Sequence, residues 1–194
     1  MKLRRLFMIG VLLCPTVVEA IEFESNLKPT SVIEIKTTPQ KKYMTSHEAY
    51  ELLLHKPDIV FVDVRDPVEI SLYGHPVFLD AIVPVRAQST EFDETIKQWR
   101  LKDNPDFIAE MDAVLSREGM SKEDMIILTC GSGMRSALAA IKLYDAGFTN
   151  VWHIPDGYPG DDKPGFNVAN AWKLAGLPWS YEHVYGADNL RIIK

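Results

Sequence analysis

Cysteine is almost missing from this chain: among 194 residues only Cys14 and Cys130 occur. Two thiols cannot build the dense disulfide framework of a small extracellular scaffold. No run of lysine and arginine appears beyond the first few residues, and the formal charge is -6. That balance argues against nucleic acid and anionic membrane surfaces as partners. No apolar stretch reaches the roughly 20 residues needed to cross a bilayer. The five histidines have no close His or Cys neighbour at metal-ligand spacing, so no metal site is expected. Repeats and low-complexity tracts are also missing. What remains is an acidic chain whose 46% hydrophobic content suffices for an ordinary apolar core, at a length that suits one domain.

The N-terminus has its own grammar. Met1 to Arg5 is basic, Leu6 to Leu13 is apolar, and Val18-Glu19-Ala20 places small residues at the cleavage-determining positions. The pattern predicts a secretory signal peptide over residues 1–20, with no stable membrane insertion after cleavage. Arg4-Arg5 faintly echoes a twin-arginine signal but lacks a flanking Ser or Thr. Leu13 before Cys14 fits a lipoprotein cleavage site poorly. An uncleaved anchor is the third alternative. Loss of residues 1–20 removes Lys2, Arg4, Arg5 and Glu19, taking the charge from -6 to -8. Cys130 is then the sole thiol, and in an oxidising compartment an unpaired thiol is a liability unless it has a task.

Residues 21–43 read as an N-terminal arm or edge strand, with only a short alternating stretch from Val32 to Ile35. Residues 44–180 form the domain and 181–194 a C-terminal tail. Thr45-Ser46-His47-Glu48 is a capping box that opens a helix ending before Pro57. Ile59 to Val64 is a near-continuous apolar strand of the parallel-sheet kind. Asp66-Pro67-Val68-Glu69 starts a second helix. Ala81 to Val85 is a short strand closed by Pro84, and the segment from Gln88 to Lys102 has no clear period. Asn104-Pro105 opens a helix with Phe107, Ile108, Met111, Val114 and Leu115 on one face and Gly119 as its cap. Asn150 to Ile154 is a last strand, following a cap at Gly147. Asp156 to Phe166 is a loop, and Asn170 to Ala175 a short helix or turn. The alternation predicts an α/β fold with a central, mainly parallel sheet flanked by helices.

The chemistry concentrates where strand Met125 to Thr129 runs into Cys130-Gly131-Ser132-Gly133-Met134-Arg135-Ser136, followed by the helical Ala137 to Ile141. A strand, a glycine-bearing loop and a helix start leave a row of backbone N–H groups pointing inward above the positive end of the helix. A sulfur placed there is expected to be held as its anion. Arg135 adds a permanent charge suited to an oxyanion. The bland alternative for Cys130 is a buried structural thiol, and for Arg135 a surface ion pair.

These segments resemble the rhodanese-like sulfurtransferase family over most of residues 44–180. The matching pieces are Phe61 to Pro67 with Glu69, Tyr73-Gly74-His75, the loop from Cys130 to Ser136, Ala146 to Val151, and Asp156-Gly157. Trp172 to Tyr181 looks like the ending of exported single-domain members from Gram-negative bacteria, which implies a periplasmic location. The resemblance implies a rhodanese-like fold and a two-step exchange. Cys130 takes sulfur from a donor such as thiosulfate, becomes a persulfide, and passes the sulfur to a thiol or cyanide. Gly131, Ser132, Gly133, Met134, Arg135 and Ser136 form the substrate-binding loop, Arg135 holds a donor oxyanion, and no metal or organic cofactor is needed. Phosphatases and arsenate reductases of similar fold place one more residue between cysteine and arginine, so the six-residue loop favours sulfur. After Gly74-His75 the chain reads Pro76 to Ala81 where the family usually has Ile-Pro-Gly-Ala, and the loop holds no cation besides Arg135.

Asp63, Arg65 and Glu69 are expected to brace the loop as one structural network rather than to act as acid or base. His75 is expected to pack and hydrogen-bond within the domain. Trp152, Trp172 and Trp179 read as anchors, and Asp161-Asp162 as a solvated acidic loop rather than a calcium site. A second function class also fits: an accessory binding module for an exported oxidative or respiratory enzyme, using the arm, the Trp99 segment and the tail as contact surface.

Overall fold

The computed structural model describes residues 23–159, 170–182 and 191–192. The expected leader, Cys14, Asp161-Asp162 and His183 lie outside the described residues. Thr45 begins the first helix, α1 (Ser46–His55), as a reciprocal capping box: Glu48 N donates to Thr45 Oγ1 at 3.2 Å, and Thr45 N donates to Glu48 Oε2 at 2.8 Å. Strand β1 (Ile59–Asp63) is buried along its whole length. Helix α2 (Pro67–Tyr73) starts at Asp66 with proline at its first position and Glu69 closing the box. The chain continues through β2 (His75–Pro76), β3 (Ala81–Ile82), β4 (Arg86–Asp93), β5 (Gln98–Asp103) and α3 (Phe107–Glu118). It closes with β6 (Met125–Thr129), α4 (Met134–Asp145), β7 (Val151–His153), β8 (Trp179–Ser180) and β9 (Arg191–Ile192).

The main sheet has the order β7-β6-β1-β3-β9 and is parallel throughout. Successive side chains of a strand face opposite ways, and the two cores follow that period. Val60, Val62, Ile126 and Leu128 pack against Phe107, Met111 and Val114 of α3 and Ala140 and Leu143 of α4. Ile59, Phe61 and Ile127 face the other way, onto Ala49 and Leu52 of α1, Ile70 of α2 and Trp172. Each fully buried aliphatic or aromatic side chain contributes on the order of 1.5–3 kcal/mol. Helices on both faces leave the C-terminal ends of β1 and β6 side by side, where loops meet. Among the described residues no helix is long and apolar enough to cross a membrane.

Four segments differ from or add to expectation. Val32 to Ile35 is not an edge strand: the arm makes 3-10 turns at Pro29–Ser31 and Glu34–Lys36. Ile33 and Ile35 are exposed, so their alternation has no face to bury, and only Tyr43 makes a parallel bridge, to His153. The segment from Gln88 to Lys102 is an antiparallel hairpin of β4 and β5 with an irregular register between Gln88 and Phe92. It carries no core. Its strands are held by ladder bonds, by the cross-strand pairs Glu91–Lys102 (2.6 Å) and Asp93–Arg100 (2.9 Å), and by the edge-to-face Phe92 and Trp99 rings. The helix expected from Asn104-Pro105 begins at Phe107, with Asn104 Oδ1 accepting from Asp106 N at 3.0 Å. Within the expected tail, Arg191–Ile192 pairs with β3.

Asp80 lies where β3 begins, and its Oδ2 accepts from Phe61 N at 2.8 Å. Burial pushes its carboxyl up to about 6. The folded state therefore holds a proton that the unfolded chain has released, and stability falls as pH rises from about 4 through 6. Asp80→Asn keeps an acceptor for Phe61 and removes the buried charge. It is expected to raise stability at pH 8 by on the order of 1 kcal/mol, after discounting for solvent screening. Urea midpoints of the two proteins should converge by pH 4; a gap that does not change with pH contradicts this account.

Candidate active site at the end of strand β6

Cys130 follows the last residue of β6, and the next three residues turn the chain into α4. The turn needs glycine at Gly133, where φ is 88° and any Cβ would overlap the carbonyl oxygen of Pro155. Gly157 has φ 71°, and a Cβ there would meet the backbone of Cys130 and Gly131. Tyr158 N donates to Cys130 O at 2.7 Å. The loop is thus pressed against the Pro155–Tyr158 backbone by two close approaches that side chains would forbid.

That geometry aims N–H groups at one atom. Gly133 N donates to Cys130 Sγ at 3.1 Å and Ser136 N at 3.3 Å. The sulfur also lies 3.6 Å from Ser136 Oγ. Gly133 is the N-cap of α4 and Ser136 lies in its first turn, where the helix dipole favours negative charge. The residue is only 1% exposed and contributes to the α3/α4 core, so the sulfur sits at the floor of the loop.

Ser136 opens a chain of contacts that sequence reasoning missed. Its hydroxyl lies 3.1 Å from Gly133 O and 3.3 Å from His153 Nδ1. His153 Nε2 lies 3.0 Å from Lys36 O. A carbonyl only accepts, so Nε2 carries the proton and Nδ1 is an acceptor turned towards Ser136. Burial holds the imidazole down to about 3, which keeps it neutral. Lys36, in the arm, is buried and donates to Pro155 O at 2.7 Å. No motif marks His153; its sole sequence clue is a polar side chain in a buried strand.

Asp63, Arg65 and Glu69 hydrogen-bond to different partners. Arg65 pairs with Asp63 at 2.6 Å, both side chains at 0% exposure. Its Nη2 donates to Gly74 O at 2.9 Å, and its guanidinium lies 4.4 Å from the centre of the Tyr158 ring. The pair thus ties β1 to Gly74 and to Tyr158, whose N–H holds Cys130 O. Glu69 instead takes Arg135 in a two-point pair, Nη1 to Oε2 and Nη2 to Oε1 (2.7 Å). Arg135 is therefore occupied by a carboxylate of α2, the ion-pair alternative to free oxyanion binding. Burial opposes its charge, but the Glu69 hydrogen bonds outweigh that and hold the guanidinium cationic. For Glu69 too, burial is outweighed by Arg135, and its carboxyl lies below the usual range. His75 is buried, as expected, with Nδ1 2.7 Å from Pro76 O.

Ser132, Met134 and Arg135 border a cavity of about 780 Å³ that runs between α2 and the β4–β5 hairpin. Among the described residues no cluster of His, Cys, Asp or Glu is arranged to hold a metal ion.

A family model described as the rhodanese-like domain matches residues 45–161. Thiosulfate sulfurtransferase 16, chloroplastic, of Arabidopsis thaliana is 36% identical over 133 residues, covering 67% of this chain and 85% of its own. An uncharacterized protein of Rickettsia conorii is 32% identical over 136 residues, 70% of this chain and 94% of its own. A crystal structure from M. tuberculosis superposes with a TM-score of 0.53 at 28% identity, covering 73% of this chain and 98% of that one.

Gly133→Ala is expected to lower stability by about 1–3 kcal/mol from the left-handed backbone alone, with more from the overlap at Pro155. A urea midpoint equal to that of the unaltered protein would contradict the close approach.

Proposed function

Because the chain belongs to the rhodanese-like domain family, we propose that it moves sulfane sulfur from a donor to a thiol or cyanide through a persulfide on Cys130. The observation that carries this reading is the pair of amides aimed at Cys130 Sγ, at 3.1 and 3.3 Å. They stabilise a thiolate before the reaction and a persulfide anion after it. With thiosulfate, the Cys130 thiolate attacks the outer sulfur, the sulfur–sulfur bond breaks, and sulfite departs with the electron pair. A thiolate or cyanide then attacks the outer sulfur of the persulfide, and Cys130 leaves as thiolate. The chemistry needs no metal and no organic cofactor.

The Arabidopsis relative's name supports thiosulfate as a donor, and the six-residue spacing from Cys130 to Arg135 supports sulfur over phosphorus. Gly131, Ser132, Gly133, Met134, Arg135 and Ser136 form the binding loop, with Asp63 and Arg65 bracing it from below. A donor oxyanion reaches Arg135 only in competition with Glu69. In this reading the protein works in the periplasm after losing residues 1–20, and a mature N-terminus at Ile21 tests that placement.

A second reading is favoured by the 1% exposure of Cys130 and the engagement of Arg135 by Glu69: a binding module that keeps the loop without turnover, serving an exported oxidative or respiratory enzyme. Mass spectrometry decides between them. Incubation with thiosulfate is expected to add about 32 Da to the protein, where oxidation would add oxygen instead. Cyanide should remove the adduct as thiocyanate, and Cys130→Ser should prevent it. No adduct from any sulfane donor overturns the transferase reading in favour of the module.

Glu69→Gln keeps the cap of α2, since glutamine also serves a capping box, while releasing Arg135 from an anion. Its kcat/KM for thiosulfate is expected to rise roughly fivefold, the scale of one partly exposed ion pair. An equal or lower value shows that Arg135 does not meet the donor.

A further inference from the structure

The groove beside the loop is much larger than a small inorganic anion requires. Its volume, about 780 Å³, falls in the range of roughly 300–1,000 Å³ that takes drug-sized organic ligands. Its walls include exposed apolar side chains that lie outside both buried cores, with Trp99 also meeting Phe92 edge to face. Val68 and Leu72 stand four residues apart on one face of α2, Trp99 and Leu101 project from β5, and Met134 begins α4. All five are exposed, Leu72 at 64% and Trp99 at 56%. Surface helices normally turn polar residues outward, so an outward Val68 and Leu72 opposite a tryptophan is a feature needing a cause.

The charges along the groove are already matched. Arg135 is held by Glu69. Arg86 Nε donates to Asp103 Oδ1 at 2.6 Å. Asp66 turns its carboxylate to backbone amides instead, accepting from Val68 N at 2.8 Å and Gln88 N at 2.9 Å. Each lining cation thus faces a carboxylate, and the remaining charge is negative. A dianion entering here must displace Glu69 or Asp103, whereas an uncharged apolar body covers Trp99 and Leu72 and displaces only water.

We propose that this groove selects a sulfane donor whose leaving thiolate carries an uncharged, apolar organic body R: an aryl or branched alkyl persulfide, R–S–SH, in preference to thiosulfate. The inference rests on the sulfur-transfer reading of Cys130. In the transfer, the Cys130 thiolate attacks the outer sulfur of R–S–SH and the bond to the inner sulfur breaks. R–S⁻ leaves with the electron pair and takes up the proton. The products are the Cys130 persulfide anion and R–SH, with no oxidant or reductant consumed. Trp99 and Leu72 are specificity-determining residues in this scheme, set apart from the sulfur itself.

The probes are methanethiosulfonate and benzenethiosulfonate, both monoanions with the same reacting sulfur and different bodies, with thiosulfate as the dianion. The expected order of kcat/KM is benzenethiosulfonate, then methanethiosulfonate, then thiosulfate, with at least a roughly tenfold gap between the first two, as apolar pockets deliver for a few carbon atoms. Trp99→Ala should shrink that gap to about twofold; a difference arising only from the leaving groups would persist in the variant. Calorimetry supplies a readout without turnover: benzenesulfinate, the expected product, should bind more tightly than sulfite, and Trp99→Ala should weaken it. Equal kcat/KM for the two thiosulfonates, or a gap untouched by Trp99→Ala, overturns the proposal and leaves the persulfide reading standing. No mass adduct from any donor, with benzenesulfinate still bound through Trp99, overturns the persulfide reading and leaves the groove's preference intact. Neither adduct nor binding overturns both.

Discussion

One sulfur atom is held where it is because two stretches of backbone approach more closely than side chains would permit. Gly133 lies against Pro155, and Gly157 against Cys130 and Gly131. The left-handed turn at Gly133 brings the amides of Gly133 and Ser136 onto the same point. These contacts come from the two neighbouring parallel strands β6 and β7 and the loops that leave them, so the sheet register sets the loop. Leu128 opposite His153 places the imidazole behind Ser136, and the arm supplies Lys36 to complete that chain.

Charge is arranged around the loop at two depths. The Asp63–Arg65 pair is wholly buried and reaches Gly74 and Tyr158. Such a pair gains little net energy over an apolar substitute, while removal of one partner costs about 3–5 kcal/mol. Its contribution is position. The Arg135–Glu69 pair is partly exposed and ties α2 to the loop. The same acidic setting, in which both lining cations are paired, makes the apolar wall of α2 and β5 the dominant feature a visitor meets.

Much of this was legible in the residues. The strand from Ile59, the boxes at Thr45 and Asp66, the amphipathic helix through Met111 and the strand–loop–helix around Cys130 each follow from short-range physics: burial period, caps and glycine. The features that escaped have long-range causes. The β4–β5 hairpin is exposed on both faces, so it lacks the apolar alternation by which strands are recognised, and its pairing depends on Glu91 meeting Lys102 and Phe92 meeting Trp99. The arm showed alternation at Val32 to Ile35 with no surface to bury it. Glu69 stands 66 residues from Arg135, and His153 stands 17 from Ser136; no local pattern ties either pair. Glu69 is near Asp63 and Arg65 in sequence, while the turn of α2 directs its carboxylate to Arg135 of the loop.

In the proposed transfer, the amides of Gly133 and Ser136 hold the sulfur that accepts and releases a second sulfur atom. Nuclear magnetic resonance of ¹⁵N-labelled protein observes those two groups directly. Addition of a sulfane donor should move both amide signals as the sulfur's charge and size change, and cyanide should return them to their starting positions. Signals from Gly133 and Ser136 that stay fixed while Cys130 gains sulfur would contradict the account.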